Sequence, residues 1–294
     1  MRITGRRISQ LVTLVATGGA MGFAAAAAPA AAPMTTAPPS SSPATSAQAP
    51  SATAGAPPRT PGGYLSAGTD LMVVLPPAPQ KGDATSEADR RIFRETRALQ
   101  GTPRWEMASA DAALGSAQML QHFSCSLDIE LTAQQAPRML QILQKATRDA
   151  TQAMLKAKDF YNRERPYLVD EGPICRPREE TGTSSDYPSG HSTAGWSWAM
   201  VLAQIAPDRA VPILERGRAI GDSRVVCGVH NASAVEGARM LVSATMAVVM
   251  GIDAYQSDLA AAKQEFSALR AQPHATPEPA RCEVERKLVA IQPR

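Results

Sequence analysis

The sequence predicts an all-α protein, a single helical bundle over residues 64–294. Three observations point there. Apolar residues recur every three or four positions through most of the chain after residue 84. No stretch alternates apolar and polar residues over the length of a strand. Aromatic residues make up only 4% of the chain while Ala, Leu and Met are abundant, which suits packed helices.

Arg2, Arg6 and Arg7 precede a mostly apolar run over 11–23 and an Ala-rich stretch over 24–32, the pattern of an export signal over 1–32. Residues 33–63 are rich in Pro, Ala, Ser and Thr. They have too little apolar surface to offset the entropy of ordering, so they read as a disordered linker. Residues 71–75 run into Pro76-Pro77-Ala78-Pro79 and are expected to be extended. A helix is predicted over 85–99, with Ala88, Ile92, Phe93, Thr96 and Leu99 on one face. A single helix is predicted over 104–122, with Trp105, Ala108, Ala112, Gly115, Met119 and His122 in its stripe.

Thr132 and Gln135 form a capping box, opening a long helix through Met139, Leu140, Ile142, Leu143, Ala146 and Met154. Further helices are predicted over 192–206, 208–220 and 231–252. The last is apolar nearly all round and is expected to cross the core. An amphipathic helix over 256–271 leads to a Pro-containing tail, irregular unless Cys282 staples it down.

The formal charge of +3 falls to about zero without the three arginines of the signal, so nothing in the global balance suggests a nucleic-acid polymer as partner. No segment after residue 32 reads as a membrane span. Four cysteines, Cys125, Cys175, Cys227 and Cys282, suggest two disulfides in an exported protein, with three pairings open. No C-x2-C spacing or other ligand cluster calls for a metal, and no other cofactor is implied. The sequence does not choose between a monomer and a homo-oligomer.

Lys158 and Arg165 stand seven apart, two helical turns, and so would share a face; Pro166 puts Arg165 at the helix end. Two such cations suit a tetrahedral dianion, although with Arg163 and Lys156 nearby the segment also reads as a solvated basic face. Pro188-Ser189-Gly190-His191 is a turn running into a helix, where Gly190 admits close approach and the free N–H groups favour phosphate. Ser223-Arg224 and His230 flank a short break at Cys227-Gly228, and Arg224 would be a third cation. Alone, His230 reads better as a buried, hydrogen-bonded histidine.

Together the fragments read K-x6-R-P, P-S-G-H and S-R-x5-H in order, with 21 residues between Pro166 and Pro188 and 31 between His191 and Ser223. This resembles the type 2 phosphatidic acid phosphatase and vanadium haloperoxidase superfamily, in particular its bacterial class A non-specific acid phosphatases. The likeness runs through most of 70–255, including Arg104-Trp105 to Asp111-Ala112. It implies the helical bundle of that superfamily and an exported, periplasmic or secreted phosphatase acting on small phosphate monoesters without a metal. It also implies that Lys158, Arg165 and Arg224 neutralise the phosphoryl oxygens, with Ser189 and the Gly190 amide adding hydrogen bonds. His230 would attack phosphorus and His191 would protonate the leaving alkoxide.

One residue departs from the pattern. The family places an Asp four after the last His, where it accepts from the nucleophile's other nitrogen; here that residue is Ala234. Ser233 is a weaker candidate acceptor, Glu236 lies on another face, and an acid from elsewhere, a backbone carbonyl or water could serve. The expectation is an under-oriented His230 that Ala234→Asp would improve. Two other functions are weighed: a phosphate-binding protein without turnover, favoured by Ala234, and a vanadate-dependent haloperoxidase, disfavoured by the short chain.

Overall fold

A computed structural model describes residues 62–293, apart from 67, 182, 183 and the side chain of Glu180. The signal expected over 1–32 and nearly all of the linker expected over 33–63 lie outside the described residues. Ten α-helices follow in chain order: α1 (Ala84–Thr96), α2 (Pro103–Ala110), α3 (Ser116–Leu127), α4 (Pro137–Tyr161) and α5 (Pro166–Val169), then α6 (Gly190–Ile205), α7 (Ala210–Val226), α8 (Ala232–Val249), α9 (Asp253–Arg270) and α10 (Pro279–Val289). No strand forms among the described residues, and the all-α reading holds.

Several expectations need correction. The segment before Pro76 is not extended: Met72–Val74 form one 3-10 turn, which lets Leu71 and Leu75 both reach the core. The helix expected over 104–122 is two helices. The chain breaks after Ala110, and Asp111 turns its carboxylate onto Arg216 and Ser223. The capping-box bonds form between Thr132 and Gln135, but α4 starts later, at Pro137. Its first amides, on Arg138 and Met139, are capped instead by the Glu265 carboxylate from α9.

Helix α8 is not buried all round, since Met240 and Val248 face outward. By length and composition it could cross a bilayer, contrary to the expectation that no such segment follows residue 32, and half of it is buried in the bundle. The tail is ordered as α10, tied to α3 by Cys125–Cys282; the second disulfide joins Cys175 to Cys227.

The core is formed by one face each of α4, α6, α8 and α9, with Met139, Ile142, Leu143, Leu202, Leu241, Met246 and Tyr255 sealed from solvent. The pairing that positions the site is α6 against α7. These helices are joined by a short link, run antiparallel and approach closely because glycines line the contact. A Cβ on Gly217 would fall 2.2 Å from the Ala199 Cβ, and one on Gly195 would fall 2.6 Å from Ile220 Cγ2. That register sets the start of α6, with His191, opposite the end of α7, with Arg224. Helix α8 packs as tightly on the loop that precedes α6, where a Cβ on Gly237 would meet the Tyr187 ring at 2.7 Å.

Candidate active site

Lys158, Arg165, Ser189, Gly190, His191, Arg224 and His230 meet where the end of α4, the starts of α6 and α8 and the end of α7 converge. Lys158 and Arg165 do not share a helix face. Helix α4 stops at Tyr161 with Asn162 in the left-handed region, and Arg165 is extended, as the residue before a proline should be. The two cations converge because the chain turns. Arg163 is no solvated neighbour: it is largely buried, donating to Asp89 and Ser233 and pairing with Asp186.

Three cations are held here without a neutralising carboxylate in direct contact among the described residues. Lys158 Nζ donates to the Ser185 carbonyl. Arg165 donates through Nε to Ser184 O at 2.7 Å and through Nη1 to Val229 O at 2.8 Å. Arg224 is 3% exposed, and its Nε and Nη1 have no hydrogen-bond partner among the described residues. Burial, then repulsion from Arg165, pushes Lys158 down to about 8, and burial with Arg165 and Arg176 pushes Arg224 down to about 9. Such a cluster favours an incoming anion.

His230 is buried, and both ring nitrogens have partners. Arg165 Nη1 lies 3.3 Å from Nε2 and Asp186 Oδ1 lies 2.9 Å from Nδ1. A guanidinium can only donate, so Nε2 is an acceptor and the proton sits on Nδ1, donated to Asp186. Burial, then Arg165, Lys158 and Arg224, holds His230 protonation well below the usual histidine range, outweighing the single carboxylate.

Asp186 is fully buried and faces four partners, three through hydrogen bonds and one, Arg163, through an ion pair. Besides His230 these are the Asn231 amide at 3.1 Å, Asn231 Nδ2 at 2.9 Å and Arg163 Nη1 at 3.2 Å. Burial pushes its carboxyl up, opposed by Arg163 and Asn231; with only donors around it, its oxygens act as those of a carboxylate.

His191 is held differently. Its Nε2 lies 3.1 Å from the Ala112 carbonyl, which fixes Nε2–H and leaves Nδ1 as the basic nitrogen. Burial, then Arg224, pushes it down to about 3. Ser189 caps α6: its Oγ accepts from Ser192 Oγ at 2.9 Å, while its amide donates to the Ala234 carbonyl at 2.9 Å. A Cβ on Gly190 would meet only Met154 Cε, at an ordinary 3.4 Å, so the fold itself does not demand glycine there.

Asp186 is not singled out in the sequence, and Arg104 and Asp111 enter only as part of the family likeness, without a role. Ser223 of the S-R pair faces away from the cations into a buried network, accepting from Arg104 Nη1 at 3.0 Å and donating to Asp111 Oδ2 at 2.6 Å. Asp111 in turn pairs with Arg216 at 2.6 Å. That network braces α2 against α7 and sets the Ala112 carbonyl where His191 meets it. The expected helper Ser233 is committed to Asp89 through both its amide and its hydroxyl, and Glu236 is paired with Arg239, so neither serves His230. Among the described residues no group of three or more His, Cys, Asp or Glu side chains gathers at metal-binding spacing.

A buried trio of cations around two neutral imidazoles, at the meeting of four helix ends, defines an anion-processing helical bundle. Residues 141–257 match the PAP2 superfamily. The chain is 35% identical over 219 residues to an acid phosphatase of Zymomonas mobilis, covering 74% of this chain and 83% of that protein. It is 34% identical over 204 residues to a non-specific acid phosphatase of Providencia stuartii, covering 68% of this chain and 82% of that one. A Salmonella typhi non-specific acid phosphatase is 32% identical over 196 residues, covering 66% and 78%. The chain belongs to the non-specific acid phosphatases of the PAP2 superfamily, and is a phosphoric monoester hydrolase.

Proposed function

We propose that this phosphatase works through a phosphohistidine on His230. The observation that carries the reading is the pair of unprotonated Nε2 on His230 and unpartnered Arg224 guanidinium nitrogens in one buried pocket. Lys158, Arg165 and Arg224 take the phosphoryl oxygens of a small phosphate monoester, assisted by Ser189 and the Gly190 amide at the start of α6. The Nε2 lone pair forms the N–P bond as the ester P–O bond breaks.

His191 gives the departing alkoxide its proton. Water then attacks phosphorus, His191 takes a proton from it, and the N–P bond breaks to release phosphate. In the free enzyme His191 is neutral; the bound dianion offsets the charge of Arg224, and His191 then takes up its acid proton from solvent. The low protonation of His230 keeps the nucleophile available in acid. Ala234 had favoured a binding-only protein. That argument loses its force because Asp186 lies against the same nitrogen.

The residues gathered at the pocket call for no metal, and the even set of paired cysteines fits export to an oxidising compartment. The test is release of phosphate from a chromogenic phosphomonoester. Turnover should survive EDTA and be inhibited competitively by vanadate. Loss of activity in EDTA that a divalent ion restores would reject the reading.

A further inference from the structure

The motif that places a carboxylate one helical turn after the last histidine is broken at Ala234, yet the histidine is not left without one. Asp186 approaches from the opposite wall, in the loop that leads into Pro188-Ser189-Gly190-His191. Its position is fixed several times over. Its own amide donates to Arg163 O at 2.7 Å, and Oδ2 is held by Arg163 Nη1 and Asn231 Nδ2. Oδ1 is shared by His230 Nδ1 and the amide of Asn231, the residue just before α8.

Position 234 faces the same loop. Ala234 is fully buried, and its carbonyl takes the Ser189 amide, three residues after Asp186. The loop and the first turn of α8 thus form one packed unit, in which the carboxylate has changed sides.

We propose that Asp186 is the positioning residue of His230, supplying from the loop before Pro188 the carboxylate that the family pattern would place at 234. It holds the proton on Nδ1, so that Nε2 faces phosphorus, and balances the charge the ring acquires on phosphorylation. The inference rests on His230 being the nucleophile. It also reverses the expectation for Ala234→Asp: the orienting place is filled, so a second buried carboxylate beside the first adds repulsion without adding a function.

The experiment is a cycle of Asp186→Asn, Ala234→Asp and the double variant, measuring kcat, KM, vanadate affinity and melting temperature. Asp186→Asn should lower kcat by ~10³–10⁴-fold with KM and vanadate affinity nearly unchanged, as when a triad carboxylate is lost. Ala234→Asp alone should leave kcat unchanged or lower. The double variant, with its single carboxylate on the other wall, should recover at least ~10-fold over Asp186→Asn.

A kcat within about threefold of wild type in Asp186→Asn would overturn the proposal. So would parallel loss of vanadate binding without rescue, which marks a purely structural residue. If Asp186→Asn fails to fold, Ala234→Asp in the parent decides alone: unchanged or lower kcat supports the proposal, and a rise of about threefold or more overturns it. Failure of the nucleophile reading shows separately, as turnover retained in His230→Ala.

Discussion

His191 lies close enough to His230 to disfavour its protonation, yet the two rings are anchored by different chemistry. His230 gives its Nδ1 proton to a buried carboxylate, Asp186, whereas His191 gives its Nε2 proton to a neutral backbone carbonyl, that of Ala112. The cations around His230 oppose a charge on the free ring, and it is the carboxylate together with the phosphoryl oxygens on those cations that lowers the cost of charging a phosphorylated imidazole. A ring backed only by a carbonyl, and crowded by Arg224, surrenders an added proton readily. In the proposed mechanism this difference suits one ring to be the nucleophile and the other the acid, although the residues are the same.

The sharpest way to break that comparison is to remove each ring. His230→Ala should abolish turnover, by ~10⁴-fold or more, whatever the leaving group. His191→Ala should cost ~10²–10⁴-fold on an alkyl phosphate and much less on an aryl phosphate whose phenoxide leaves without a proton. Steady-state rates on the two substrate types check this. Equal sensitivity to leaving group in both variants would erase the distinction.

A smaller effect concerns the bracing behind His191. Asp111→Asn uncouples the buried Arg216 and weakens the hold on Ser223. Breaking such a pair costs about 3–5 kcal/mol, so the melting temperature should fall markedly in thermal denaturation. Because the same network sets the Ala112 carbonyl, kcat should fall more on alkyl than on aryl phosphates.

The smallest effect separates binding from folding. Lys158 protonates at about 8, below its ordinary 10.5, so the folded state binds fewer protons between those values. Stability therefore rises with pH across that window, and the penalty of the buried cation is fully present below about 8. Lys158→Met should raise the melting temperature of the phosphate-free protein by a few degrees at pH 6, with the gain vanishing above about pH 10. The same variant should bind inorganic phosphate about tenfold more weakly. Calorimetry at the two pH values and a phosphate titration measure both.

Much of this arrangement was legible in the sequence, for identifiable reasons. Helical periodicity located α1, α4, α6, α8 and α9 because their buried faces repeat, and the motif fragments named the three cations and both histidines. The helix expected over 104–122 concealed a break because Asp111 leaves the helix for Arg216 and Ser223, a contact more than 100 residues away in the chain. Helix α7 was expected to end six residues early because its last turn carries Asp222, Ser223 and Arg224, polar residues that local patterning reads as solvent-facing but that are buried here.

The sequence leaves an acid from elsewhere in the chain open as the orienting group, but no spacing in it singles out Asp186 for that place. The partner is 44 residues earlier, and only the packing of the loop on the start of α8 brings it to the ring. The signal available was its place two residues before Pro188, in a loop already assigned to the pocket.

The central claim is that Nε2 of His230 attacks phosphorus while Nδ1 is held by Asp186. Rapid mixing with a phosphomonoester, an alkaline quench and identification of the phosphorylated atom by peptide mass spectrometry and NMR test it most directly. The account predicts acid-labile phosphate on His230, bonded to Nε2. Phosphate on Nδ1 of that ring, on His191 or on Ser189 would contradict it.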